Sequence, residues 1–233
     1  GPDDCGTFVL EAVGLGMVHR RLSVIDLSPN GRQPMKSGSG RYVLAYNGEI
    51  YNFARLRDQL ISTGTKFRTG TDTEVLLNGI QRWGLESTLH KLEGMFAFAL
   101  IDLNEGVLYL VRDRIGEKPL YYGWQNGVFL FGSELAAMRQ HPKWAGGTDK
   151  FAMSEMLQLG YVPLEGTIHP NVYKVPAGGM ISVALLGHEI GKVKHRRWWS
   201  YQDCVQKNYG YYSGMDALEI EHQVDMVLRQ VVS

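Results

Sequence analysis

The chain has little cysteine, no excess of either charge and no long apolar run. Its two cysteines, Cys5 and Cys204, stand far apart and form no CxxC or metal-ligand spacing. That argues against a disulfide-stapled secreted scaffold and for a reducing cytosol. The seven histidines are scattered singly, with no HExxH and no His/Cys cluster, so no zinc site is expected. Lysine plus arginine and aspartate plus glutamate number 24 each, a balance that gives no bulk attraction to nucleic acid, an anionic membrane or an acidic partner. No stretch approaches the roughly 20 apolar residues that span a bilayer, and the N-terminus has neither a basic n-region nor an apolar h-region. The expectation is a soluble, cytoplasmic protein that binds through local placement of groups, with neither a nucleic-acid nor a membrane partner.

What is present suffices for one large domain, or one domain and part of another, in 233 residues. Residues 43–46 read as a short strand running into a tight turn at Asn47-Gly48. Phe53, Leu56 and Leu60 then recur at helical spacing, with Asn52 as the N-cap and Gly64 as the stop. A second helix begins at Thr71-Asp72-Thr73-Glu74, which has capping-box spacing, so Asp72 falls in a first helical turn. From Met95 the period changes: MFAFALID, GVLYLVRD, LYYGW and VFLFGSE read as an antiparallel meander, the last two strands joined across Asn126-Gly127. In residues 96–101 both alternating faces are apolar, one bulky and one mostly small, which predicts a strand covered on both sides and more than two layers. Ser133 is expected to cap a helix over ELAAMRQH, and another helix covers about residues 150–159. Past residues 176–179 the chain becomes a polar, aromatic-punctuated connector. A domain boundary is placed near residue 185, dividing the chain into 1–182 and 183–233, and Ile220, Val224, Val227, Leu228 and Val231 line one stripe of a last helix.

A free α-amino acid demands a cation for its carboxylate and carboxylates for its ammonium, and Arg21, Glu49 and Asp72 form one such set. Asn47-Gly48 can add a side-chain NH2 and a backbone N–H aimed at a developing oxyanion. Singly, each has an ordinary alternative: an ion-paired arginine beside an apolar strand at residues 22–25, an exposed loop acid, a favourable charge at a helix N-terminus, a tight turn. Arg112-Asp113-Arg114 reads as a structural ion-pair cluster, Lys194 to Trp199 as a connector packing on its domain, and residues 213–216 lack the glycines of a pyrophosphate loop.

The segments GPDDCG, HRRLSVIDLS, GRQPM, YNGEIYN, TGTDTEVLL, GMFAFALID, RDRIGEKPLYY, FGSE and GYVP, in this order, resemble the class II glutamine amidotransferase domain of the glutamine-hydrolysing asparagine synthetases. The resemblance runs over residues 1 to about 180 and implies an α+β N-terminal-nucleophile hydrolase fold, a four-layer αββα sandwich with antiparallel sheets. It implies that Arg21 binds the glutamine α-carboxylate, with the backbone of Leu22, Ser23, Val24 and Ile25 lining the pocket. Asn47 and Gly48 would form the oxyanion hole, and Glu49 and Asp72 would hold the α-ammonium. Implied partners are glutamine and an intramolecular synthetase domain, and a homodimer is left open. No cofactor is implied for this domain, whereas ATP and Mg are implied for the synthetase domain.

In that family a cysteine at the mature N-terminus is the nucleophile, and a strand and a helix precede GPDD; here the sequence starts at GPDD and stops before an SGGxDS loop. The expectation is a fragment of a longer reading frame, inactive on its own, with Cys5 and Cys204 both poor candidates for the nucleophile. A non-catalytic glutaminase-like scaffold, as in β-lactam synthetases, and an amidotransferase serving another acceptor are the alternatives carried forward.

Overall fold

The structure is a computed structural model describing residues 1–22, 26, 29–163, 165–211 and 213–232. Its strands are β1 (Asp4–Leu10), β2 (Leu15–Arg21), β3 (Met35–Lys36), β4 (Tyr42–Ile50), β5 (Gly94–Asp102), β6 (Val107–Arg112), β7 (Tyr121–Gln125), β8 (Val128–Gly132), β9 (Val172–Lys174), β10 (Gly179–Ala184) and β11 (Val193–Arg197). Its α-helices are α1 (Phe53–Ser62), α2 (Asp72–Trp83), α3 (Leu85–Lys91), α4 (Leu135–Met138), α5 (Lys150–Leu159), α6 (Tyr201–Lys207) and α7 (Ala217–Val232). A six-stranded sheet runs β11-β10-β6-β5-β4-β3, a three-stranded sheet β8-β7-β9, and β1 and β2 form a separate hairpin. Every pairing is antiparallel.

Strand β5 shows why the layers stack as they do. Phe98 opposes Tyr46 across the β4–β5 ladder, and the Tyr46 hydroxyl reaches Asp72 on α2, so Phe96, Phe98 and Leu100 lie on the helix-facing side of the sheet. Ala97, Ala99 and Ile101 point the other way, into a core with Met17 of β2, Leu110 of β6, Tyr122 of β7 and Ile181 of β10. Small residues on this face let the second sheet approach closely, while the bulky face fills the gap to the helices. On the far side, Leu135 and Met138 of α4 pack on Leu130 and Val172. The order is helix, sheet, sheet, helix, as the resemblance implies and in keeping with the more than two layers that the doubly apolar strand predicts, with the second sheet in two pieces.

Several local expectations change. The meander divides after β6: β5 and β6 pair in the large sheet, whereas β7 and β8 belong to the small one. The crossing is organised by Asp113, 1% exposed, whose Oδ1 accepts from the N–H groups of Ile115, Gly116 and Glu117 and whose Oδ2 accepts from Phe96 and Lys118. Arg112 donates to the carbonyls of Gly116, Lys118 and Val175. The cluster read as ion pairs is therefore a corner built from charged side chains and backbone. Ser133 is not a cap, because α4 starts after Glu134 and no side chain caps it. Asn52 precedes α1 but instead bridges the Lys91 carbonyl and the Glu93 N–H.

The connector also proves structured. Residues 193–197 are the edge strand β11, Lys194 and Arg196 pair with Glu189 and Glu86, and buried Trp198 stacks on Phe96 while donating Nε1–H to the Arg112 carbonyl. Two compact units, residues 1–198 and 199–233, result, so the division falls later than 182/183 because β10 and β11 complete the large sheet. In the second unit Asp216 and Glu219 exchange backbone-to-side-chain bonds in a capping box at the start of α7. Among the described residues no helix is long and apolar enough to cross a membrane.

Candidate functional site

Strand β4 continues through Asn47-Gly48 to Ile50 rather than turning there. Its whole length pairs with β5 on one side, but β3 covers the other side only at Val43 and Leu44. On this second side Tyr46 N–H donates to Gln33 Oε1 at 2.6 Å and Ile50 N–H to Asp72 Oδ2 at 3.1 Å. Antiparallel ladders alternate, and residues 41 and 51 bond toward β5 through Leu103 N and Glu93 O. The N–H of Gly48, midway between Tyr46 and Ile50, is therefore directed to the same side as theirs. No strand among the described residues pairs with β4 there. Gly48 is required where it stands: a Cβ would lie 2.6 Å from the Phe96 Cα.

Groups from three other segments surround this edge. Strand β2 crosses it where His19 Nε2 meets the Tyr46 carbonyl at 3.0 Å. Two residues later, on the same face of β2, stands Arg21, 8% exposed. Its guanidinium donates to the Asp26 carbonyl and lies against Gly31, where a Cβ would sit 2.6 Å from Arg21 Cζ. Asp26 Oδ2 accepts from Gly70 N–H at 3.0 Å, which ties the segment after Arg21 to the segment entering α2.

Asp72, 5% exposed, opens α2 beneath the N-cap Thr71. Thr71 accepts from Glu74 N–H, but the Glu74 carboxylate turns back to Arg68 and Thr69 instead of closing a capping box. Asp72 accepts from Tyr46 Oη at 2.7 Å and from the N–H groups of Ile50 and Thr73. Burial raises its carboxyl above the usual carboxylate range, its hydrogen bonds pull it back down, and the nearby charge of Glu49 raises it further. Burial, reinforced by the Asp72 charge, holds Tyr46 protonated and hence a donor to Asp72. Glu49 and Asn47 alternate to the opposite face of β4 from Tyr46, Glu49 half-buried and Asn47 exposed.

Of the five positions, Asn47, Gly48 and Glu49 lie on β4 itself and Asp72 bonds to its edge at Ile50, while Arg21 stands two residues beyond His19, which meets the Tyr46 carbonyl. Leu22 is exposed just beyond the end of β2, and Ser23, Val24 and Ile25 lie outside the described residues. Cys5 opposes Arg20 in the hairpin, so it points away from the face that carries Arg21. His19, Gln33, Tyr46 and Asp26 carry no site role in the sequence reading. A buried tyrosine hydroxyl needs a partner, a usable signal for Tyr46, but only the fold supplies the partners of the other three. Arg21, Glu49, Asp72 and the Gly48 N–H, which no described strand pairs, are the types of group that complement a zwitterion bearing a carbonyl. Among the described residues no group of three or more His, Cys, Asp or Glu side chains is placed to hold a metal ion.

A family profile described as a glutamine amidotransferase domain matches residues 1–199. The chain belongs to this family. Asparagine synthetase [glutamine-hydrolyzing] 3 of Bacillus subtilis (strain 168) is 40% identical over 169 residues, 72% of this chain and 27% of that protein. Asparagine synthetase [glutamine-hydrolyzing] 1 of the same organism is 39% identical over 183 residues, covering 78% of this chain and 28% of its own length. This glutamine amidotransferase chain therefore spans just over a quarter of each. The glutamine phosphoribosylpyrophosphate amidotransferase of B. subtilis, solved with ADP and GMP, superposes with a TM-score of 0.56 at 23% identity, covering 80% of this chain and 35% of its own. That likeness bears out the expected fold, an α+β sandwich of antiparallel sheets between helices.

Proposed function

We propose that this domain hydrolyses glutamine to glutamate and supplies the ammonia with which an ATP-dependent asparagine synthetase amidates aspartate. The observation that supports the reading is the Gly48 N–H, directed to the side of β4 that no described strand pairs, two residues before the Ile50 N–H that Asp72 accepts. Arg21 binds the glutamine α-carboxylate beside the backbone of residues 22–25, and Glu49 and Asp72 bind its α-ammonium. The nucleophile that the resemblance implies, an N-terminal cysteine that is neither Cys5 nor Cys204, would add as thiolate to the side-chain carboxamide carbon, its proton taken by its own α-amino group. The carbonyl electrons move onto oxygen, where Asn47 Nδ2–H and Gly48 N–H meet the oxyanion. Collapse breaks the C–N bond, the nitrogen leaves as ammonia with the returned proton, and water cleaves the thioester to glutamate. The relatives' names support both glutamine as substrate and a synthetase partner domain, where ATP and Mg belong. Two free cysteines suit a reducing cytosol as the site of action.

Removing one oxyanion donor costs about 3 kcal/mol of transition-state stabilisation. Asn47→Ala, in the protein encoded by the complete reading frame, is expected to lower glutaminase kcat by about a hundredfold with little change in KM. A near-normal rate in that variant rejects the assignment.

A further inference from the structure

His19 joins the two halves of this site. Its ring sits on the inner face of β2, between Met17 in the sheet–sheet core and Arg21 at the pocket. Nε2 lies 3.0 Å from the Tyr46 carbonyl, one peptide unit before Asn47. A carbonyl only accepts, so the imidazole is the Nε2–H tautomer and Nδ1 is a bare acceptor. Nδ1 is buried and has no hydrogen-bond partner among the described residues. Protonating it would place a charged N–H where no described residue accepts it, and burial lowers the basicity of the ring.

The edge of β4 needs this contact because no strand among the described residues holds it beyond Leu44. Tyr46 N–H is held by Gln33, Tyr46 O by His19 and Ile50 N–H by Asp72, leaving the Gly48 peptide between fixed points. We propose that neutral His19 is a positioning residue for glutamine hydrolysis, its Nε2–H clamping the Tyr46 carbonyl so that Asn47 and Gly48 are held at the oxyanion position. This rests on the glutaminase reading above. Because glutamine's two charged ends are held elsewhere, by Arg21, Glu49 and Asp72, loss of the clamp acts on turnover and leaves substrate affinity nearly intact.

The test is steady-state glutaminase kinetics on the protein from the complete reading frame. His19→Ala and His19→Asn are expected to lower kcat about tenfold to a hundredfold, the cost of a small misplacement of catalytic groups, with KM changed less than about threefold. His19→Gln, whose amide NH2 can replace Nε2–H, is expected to recover most of the rate. The role is overturned if His19→Ala keeps the wild-type kcat, if KM rises while kcat stands, or if His19→Gln falls as far as His19→Ala. Should the variants not fold, 15N spectra of histidine-labelled wild-type protein decide: an Nε2–H tautomer with unprotonated Nδ1 is expected, and the Nδ1–H tautomer refutes the clamp. A wild-type protein that does not hydrolyse glutamine refutes the underlying reading, which separates that failure from a failure of His19 alone.

Discussion

At the residue scale, the site works by limiting what each side chain can do. Arg21 has its guanidinium seated against the backbone of Gly31, so the smallest disturbance is a methyl group at that position. In Gly31→Ala the flexible end of Arg21 must move, and glutamine binding by calorimetry is expected to weaken about tenfold, the scale of one charged hydrogen bond, with the melting temperature nearly unchanged. On the proposed reading, Asp72 sets the acid limit of glutamine binding. Its folded pKa is raised above the ordinary aspartate value of 3.8, mainly by burial, and it must be anionic to hold an ammonium. Glutamine affinity should therefore fall as pH drops through that raised value, at higher pH than an ordinary aspartate would give, and Asp72→Asn should remove the dependence. The linked stability has the opposite sense: the folded state holds this proton more tightly, so Asp72 contributes stability below pH 3.8 that is lost as pH rises through its folded pKa. Arg21, Glu49 and Asp72 could be nominated from charge complementarity to an amino acid, but His19 and Asp26 could not, since their partners lie 27 and 44 positions away.

At the element scale, helices were legible because caps and apolar stripes are local. Thr71 caps α2, and α5 spans the residues that its pattern indicates, with Asp149 accepting from Phe151 and Ala152. Strand partnership is not local, and MFAFALID, GVLYLVRD and LYYGW look alike whether they share one sheet or two. The deciding feature is the corner at Asp113, which five N–H groups hold in place. Asp113→Ala would leave those donors buried and unmatched, and urea denaturation should show a loss of at least about 3 kcal/mol. Asn47-Gly48 misleads in the same way: the pair favours tight turns, yet nine residues of ladder with β5 keep it extended. Gly48 is there for closeness rather than for turning. Gly48→Ala is expected to lower both thermal stability and turnover, because its Cβ meets the backbone of β5.

At the scale of the whole molecule, contacts divide the chain after Trp198, whose indole is anchored on Phe96 and Arg112 inside the first unit. A chain ending at residue 198 should unfold in one cooperative transition and bind glutamine as the 233-residue chain does, measured by calorimetry; loss of either would show that residues 199–233 support the site. By itself the sequence carried the fold class, through the ordered segments that resemble the class II amidotransferases and a strand apolar on both faces that calls for more than two layers, and it nominated the residues proposed to complement an amino acid and its oxyanion. These are properties of side-chain type and short spacing. Only the tertiary structure decided which strands share a sheet, that β4 ends in a bare edge, and that His19, Gln33 and Asp26 hold that edge and its flanks. Those facts depend on which backbone groups remain unpaired once every long-range ladder has formed, and no local pattern in a chain records that.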